Sequence, residues 1–109
     1  MLAWSEALCY LVVMAYLRVT VIGQAPKVVS LIKDVMVIGR SAQVDIPVAD
    51  DNTSRQHCQI RKWAGKVVVE DLQSKNGTFV NGLKVKEQAL ADDDLIRIGD
   101  TTLLFKNDK

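Results

Sequence analysis

Residues that build metal sites and cross-links are scarce in this chain: 109 residues hold two cysteines and one histidine. Cys9 and Cys58 lie in different sequence surroundings, with no CxxC spacing at either. A structural zinc site takes about four ligands, more than two cysteines and a lone histidine supply. No metal and no cofactor is therefore expected. The dense cysteine pattern of a small secreted scaffold is missing as well. One bridge stays open, but reduced, buried thiols are the expectation. The compartment reads as reducing: cytoplasmic, or nuclear in a eukaryote.

Charge of one sign is also lacking. Fourteen Lys and Arg stand against thirteen Asp and Glu, a formal net charge of +1, and no stretch concentrates the basic residues. A protein that binds nucleic acid by counterion release would carry a basic patch, so no nucleic-acid partner is expected. Aromatics are only 6% of the chain, and Trp4 and Trp63 lack the interleaved basic residues of a base-stacking platform. Recognition of a single phosphate survives these exclusions, because it needs only a few local donors.

A long hydrophobic run is the last absence. The longest unbroken apolar stretch is ALCYLVVMAYL, residues 7–17, flanked by Glu6 and Arg18. A membrane span takes about 20 such residues. A signal peptide would open on positive charge, whereas the only early charge here is Glu6. Three readings of this N-terminal extension stand: a core strand with an apolar lead-in, a helical extension or self-association surface giving a homodimer, or the cut end of a membrane anchor. The first is preferred, and a membrane is a partner only under the third. The expected organisation is an extension over residues 1–15 and one domain over 16–109.

What is present is alternation. Leu17, Val19 and Val21 alternate with Arg18 and Thr20, and Val28 to Ile32 and Val35 to Ile38 follow, with a turn at Lys33-Asp34. Val44, Ile46 and Val48 alternate around Asp45 and Pro47; proline cannot donate to a ladder, which predicts an edge strand. Further short runs occur at Cys58/Ile60, Val67 to Val69, Phe79-Val80, Leu83 to Val85, Leu95 to Ile98 and Thr102 to Phe105. Asn81-Gly82 and Gly99-Asp100 suit two-residue primed hairpin turns. Beyond the first fifteen residues no window has a helical period. Roughly ten short strands with frequent turns predict an all-β sandwich. The acidic run Asp92-Asp93-Asp94 reads as a solvated loop.

Three polar clusters interrupt the strands: Gly39-Arg40-Ser41, residues 52–57 (NTSRQH) and residues 74–78 (SKNGT). Loops of an antiparallel sandwich gather at its ends. Brought to one end, these three assemble two guanidinium groups, an ammonium, several hydroxyls and an amide. A phosphate monoester carries about −1.5 to −2 charges and three strong acceptor oxygens. Arg40, Arg55, the Ser54 hydroxyl and backbone N–H groups near Lys75 meet it well, through bonds of about 1.5–3 kcal/mol each.

In order and spacing, Gly39-Arg40-Ser41, Ser54-Arg55-Gln56-His57, Ser74-Lys75-Asn76-Gly77-Thr78 and Asn81-Gly82 resemble the signature of forkhead-associated (FHA) domains, over about Leu17 to Phe105. The resemblance implies an eleven-stranded antiparallel β-sandwich that binds a phosphothreonine peptide across its loop end. By position, Arg40 and Ser54 would bond the phosphate directly, Arg55 and Lys75 would add charge, and Asn76 would bond the peptide main chain. Gly39, Ser41, His57, Gly77 and Thr78 would support these loops. The implied partner is a phosphothreonine-containing protein, the product of a Ser/Thr kinase.

Two other function classes are weighed against this one. A hydrolase built on Ser54, His57 and an aspartate has no nucleophile elbow, P-loop or metal pair behind it, so the chain is not expected to be an enzyme. A domain of the same fold that binds its partner, or itself, without phosphate is the stronger rival.

Overall fold

The structure is a computed structural model, and it describes residues 15–63 and 65–107. Eleven strands make it up: β1 (Ala15–Thr20), β2 (Lys27–Ser30), β3 (Val35–Gly39), β4 (Ile46–Pro47), β5 (Cys58–Trp63), β6 (Lys66–Asp71), β7 (Thr78–Val80), β8 (Leu83–Val85), β9 (Glu87–Ala89), β10 (Leu95–Ile98) and β11 (Thr101–Asn107). They form a six-stranded sheet in the order β2-β1-β11-β10-β7-β8 and a five-stranded sheet in the order β4-β3-β5-β6-β9. The expected all-β sandwich is what forms. Its pairs are antiparallel except β3 with β4, which run parallel.

Alternation puts one face of each sheet inside. Ala15, Leu17 and Val19 of β1 are buried while Arg18 and Thr20 are exposed. Opposite them in register, Leu103 and Phe105 of β11 are fully buried. Ile96 and Ile98 of β10 extend this layer, and Met36, Ile38, Cys58, Ile60 and Val69 of the other sheet close on it. Burying a Leu, Ile or Phe side chain stabilises the fold by about 1.5–3 kcal/mol, so the shared core holds the two sheets face to face.

Several local expectations turn out differently. Val44, Ile46 and Val48 give only the two-residue strand β4, although it lies on a sheet edge as Pro47 requires. The Lys33-Asp34 turn carries the chain from one sheet to the other, since β2 and β3 belong to different sheets. Strand β9 had no sequence signal, because Glu87, Gln88 and Ala89 are all exposed and carry no apolar alternation. Asn81 and Gly82 take φ of 52° and 86° between β7 and β8, as a type I′ turn demands.

Strand β1 opens at Ala15, one residue before the expected domain start. The readings made for the N-terminal extension fall on residues 1–14, with Cys9 among them, and lie outside the described residues. No described helix is long and apolar enough to cross a membrane.

Register decides which loops meet. Ile38 at the end of β3 faces Cys58 at the start of β5, and Cys58 faces Asp71 at the end of β6. Thr78 at the start of β7 faces Ile98 at the end of β10. The loops after β3, before β5, after β6 and after β10 therefore share one end of the sandwich.

Candidate functional site

At that end the first two polar clusters are joined by main-chain bonds. The Arg40 N–H donates to the Ser54 carbonyl at 3.0 Å, and the Ser41 N–H donates to Arg55 O at 3.2 Å. Arg40 Nε adds a bond to Thr53 O at 3.1 Å. This closeness dictates Gly39, since an added Cβ there would lie 2.0 Å from the Arg55 carbonyl oxygen. Ser41 turns its hydroxyl inward along its own loop, where Oγ accepts from the Gln43 N–H at 3.2 Å.

His57 joins the second loop to the third. It is fully buried, its Nδ1 accepts from the Ser54 N–H at 3.1 Å, and its Nε2 lies 2.8 Å from the Gly77 carbonyl. With Nδ1 as acceptor, the ring proton sits on Nε2 and donates to Gly77 O. Both nitrogens are thus engaged with main chain. Neither is hydrogen-bonded to the Ser54 hydroxyl.

The Ser54 hydroxyl faces the third loop, accepting from the Lys75 N–H at 3.0 Å. Among the described residues its own proton has no hydrogen-bond acceptor. Asn76 bridges back, Nδ2 donating to Asn52 O at 2.7 Å. That amide keeps a second hydrogen and a carbonyl oxygen for other partners. Gly77 takes φ of +90°, a conformation that favours glycine.

Asp71 and Asp50 anchor these loops from below, and the sequence reading named neither. Asp71 accepts from the Ser74 N–H at 3.1 Å, from the Ser74 hydroxyl, and from Thr78 Oγ1 at 2.7 Å. Ser74 Oγ in turn accepts from the Gly77 N–H at 3.0 Å. Thr78, at the start of β7, is buried, its hydroxyl held by Asp71. Asp50 accepts from the Asn52 N–H at 2.9 Å, the Asp100 N–H at 2.8 Å and Thr101 Oγ1 at 2.7 Å. It thereby ties the second loop to the β10–β11 turn. Burial opposes ionisation of both carboxylates, but the hydrogen bonds outweigh it and hold both pKa values below the ordinary range. An aspartate two or three residues before a turn N–H is a recognisable local signal. What it supports became clear only with the neighbouring loops in place.

The surface above these braces is cationic and polar. Arg40, Arg55, Lys75 and Asn76 are exposed and Ser54 is half-buried. Among the described residues, none of the three cations takes part in an ion pair. Two guanidinium groups and an ammonium, with the Ser54 hydroxyl beside them, suit a compact, multiply charged anion with several acceptor oxygens.

Known proteins resemble this chain in sequence and in fold. FhaA of Mycobacterium tuberculosis, an FHA domain-containing protein, is 41% identical over 71 residues, covering 64% of this chain and 13% of FhaA. The chain thus spans a small part of that relative's length. A solved structure from work on phosphothreonine-dependent FHA domain interactions superposes with a TM-score of 0.78 at 29% identity, covering 86% of this chain and 98% of that one. EmbR of Mycobacterium tuberculosis, solved in complex with a low-affinity phosphopeptide, also gives 0.78 at 28% identity, over 95% of this chain and 29% of EmbR. The family model for the FHA domain matches residues 36–99, well over half of the chain, and the chain belongs to the FHA domain family.

Proposed function

We propose that this domain is a phosphothreonine-dependent protein–protein interaction module, with no catalysis of its own. The observation that carries the reading is the hydrogen-bonded union of three loops beneath three cations that form no ion pair among the described residues. In this reading Arg40 and the Ser54 hydroxyl bond the phosphate, Arg55 and Lys75 add charge, and Asn76 uses its remaining amide groups on the peptide main chain. Gly39, Ser41, His57, Gly77 and Thr78 hold the loops in shape. The partner is a protein phosphorylated by a Ser/Thr kinase. Two or three charge-assisted bonds of about 1.5–3 kcal/mol each separate phosphorylated from unmodified ligand by orders of magnitude. The threonine methyl adds about 0.8 kcal/mol if buried. A buried, free thiol at Cys58 fits a reducing, cytoplasmic setting.

Titration with phosphothreonine peptides and with the same peptides dephosphorylated tests the reading. Micromolar binding is expected, about −8 kcal/mol, lost without the phosphate and cut at least tenfold by Arg40→Ala or Ser54→Ala. Equal affinity for both peptide sets would instead establish the phosphate-independent interaction domain.

A further inference from the structure

Each sheet ends in two edge strands, β2 and β8 in one and β4 and β9 in the other. An open edge is a row of unpaired main-chain groups, and native folds blunt it by shortness, proline or charge, or cover it. Strand β4 has two residues and Pro47, while β8 and β9 have three each, with Lys84 and Glu87 among them. Strand β2 is the longest of the four edges. Val28 on it is 62% exposed, and Ile32 just past its end is 63% exposed.

Between β2 and β4 the flank of the sandwich opens into a hollow of about 360 Å3, with Val19, Val29, Met36, Ile46 and Pro47 in its lining. Two lining charges, Lys33 and Asp45, pair with each other at 2.8 Å. The third, Lys27, forms no ion pair among the described residues. An apolar edge, an apolar hollow and one free cation thus lie side by side.

An occupant of matching chemistry is tethered next to them. Residues 7–14 belong to the longest apolar run of the chain. They lead into Ala15, whose carbonyl accepts from the Leu31 N–H at 3.0 Å, just past the end of β2. Reaching the open edge of β2 means crossing about 10 Å, two strand spacings. Eight extended residues span about 26 Å, which leaves enough to run the four residues of β2. Since β1 and β2 are antiparallel, a segment running this way toward Ala15 brings Glu6 to the Lys27 end. So short a tether gives an effective concentration on the order of 1 mM, well above a second copy in micromolar solution.

We propose that residues 7–14 cover the β2 edge and its hollow within the same molecule, apolar side chains over Val28 and Ile32 and Glu6 beside Lys27. The cover belongs to the flank of the sandwich, since the lining of the hollow includes no residue of the three polar loops.

Amide hydrogen exchange of the full chain, resolved by NMR, tests this. The N–H groups of residues 27–30 that point away from β1 should exchange about tenfold more slowly in the native chain than in Val12→Asp/Val13→Asp. Ile32→Lys, a change on the exposed rim, should release the same amides. Unchanged protection of the β11 amides verifies that both variants fold. Outward β2 amides that exchange as fast in the native chain as in the variants would overturn the proposal. Protection that fades on dilution would overturn it in favour of a second copy. Loss of β11 protection in Val12→Asp/Val13→Asp, with no effect of Ile32→Lys, would overturn it by placing the segment in the core.

Discussion

Gly39 occupies a place that no other residue fits. The carbonyl oxygen of Arg55 lies 2.0 Å from where a Cβ would be, and that atom is main chain, held by the Ser41 N–H. Gly39→Ala must therefore push the first and second loops apart. A loss of about 2–3 kcal/mol is expected from overpacking of this kind, read as a lower urea midpoint, together with weaker phosphopeptide binding. At Cys58 the effect is chemical. Burial, with the Asp71 charge adding to it, pushes the thiol up to about 12. Since the thiolate is the reactive form, Cys58 should resist alkylation at neutral pH in the native protein and react once denaturant is added. Peptide mapping after iodoacetamide treatment reads the site directly; rapid native modification would mean that β5 opens locally.

The loops work as elements because carboxylates beneath them are ionised. The folded pKa values of Asp50 and Asp71 are depressed, so their contribution to stability is present above the unfolded value of about 3.9 and is lost as pH falls through the folded values. Urea midpoints should drop steadily as the solution becomes more acid than about pH 5. Asp71→Asn should lower the neutral midpoint and shrink the acid-induced drop, because an amide loses charge-assisted bonds to Ser74 and Thr78 that acid would otherwise remove. An unchanged acid profile in that variant would show that the third loop does not depend on the ionised group. The motif residues of these loops were legible in the sequence because glycine, serine and asparagine signal turns locally. Asp71 was not, because its meaning depends on Thr78 entering the next strand beside it. Strand β9 was invisible for a related reason: a wholly exposed edge strand has no buried face to impose a period on its residues.

For the whole molecule, the two sheets close over one core between Ala15 and Asn107, with β1 held on both sides by β2 and β11. A chain beginning at Ala15 should therefore fold and bind phosphopeptide with the affinity of the full chain. Calorimetric titration of the two proteins side by side gives the comparison. Unfolding of the shortened chain would assign residues 1–14 to the core. A mass that depends on concentration in the full chain alone would assign them to a homodimer contact. Neither outcome alters the proposed phosphate-binding end, where β3, β5, β6 and β10 meet their loops.

Local chemistry in the sequence determined the sandwich class, most of the strands, the hairpin turn at Asn81-Gly82 and the loop motifs. Each of these depends on neighbours within a few positions: a period of two, a positive φ, a donor beside a glycine. Tertiary structure decided what those motifs amount to. Strand register brought the loops to one end, and His57 was thereby placed between Ser54 and Gly77 with no nitrogen to spare. Asp50 and Asp71 became anchors. Such contacts join residues far apart in the chain, and only the packed core sets which of them meet.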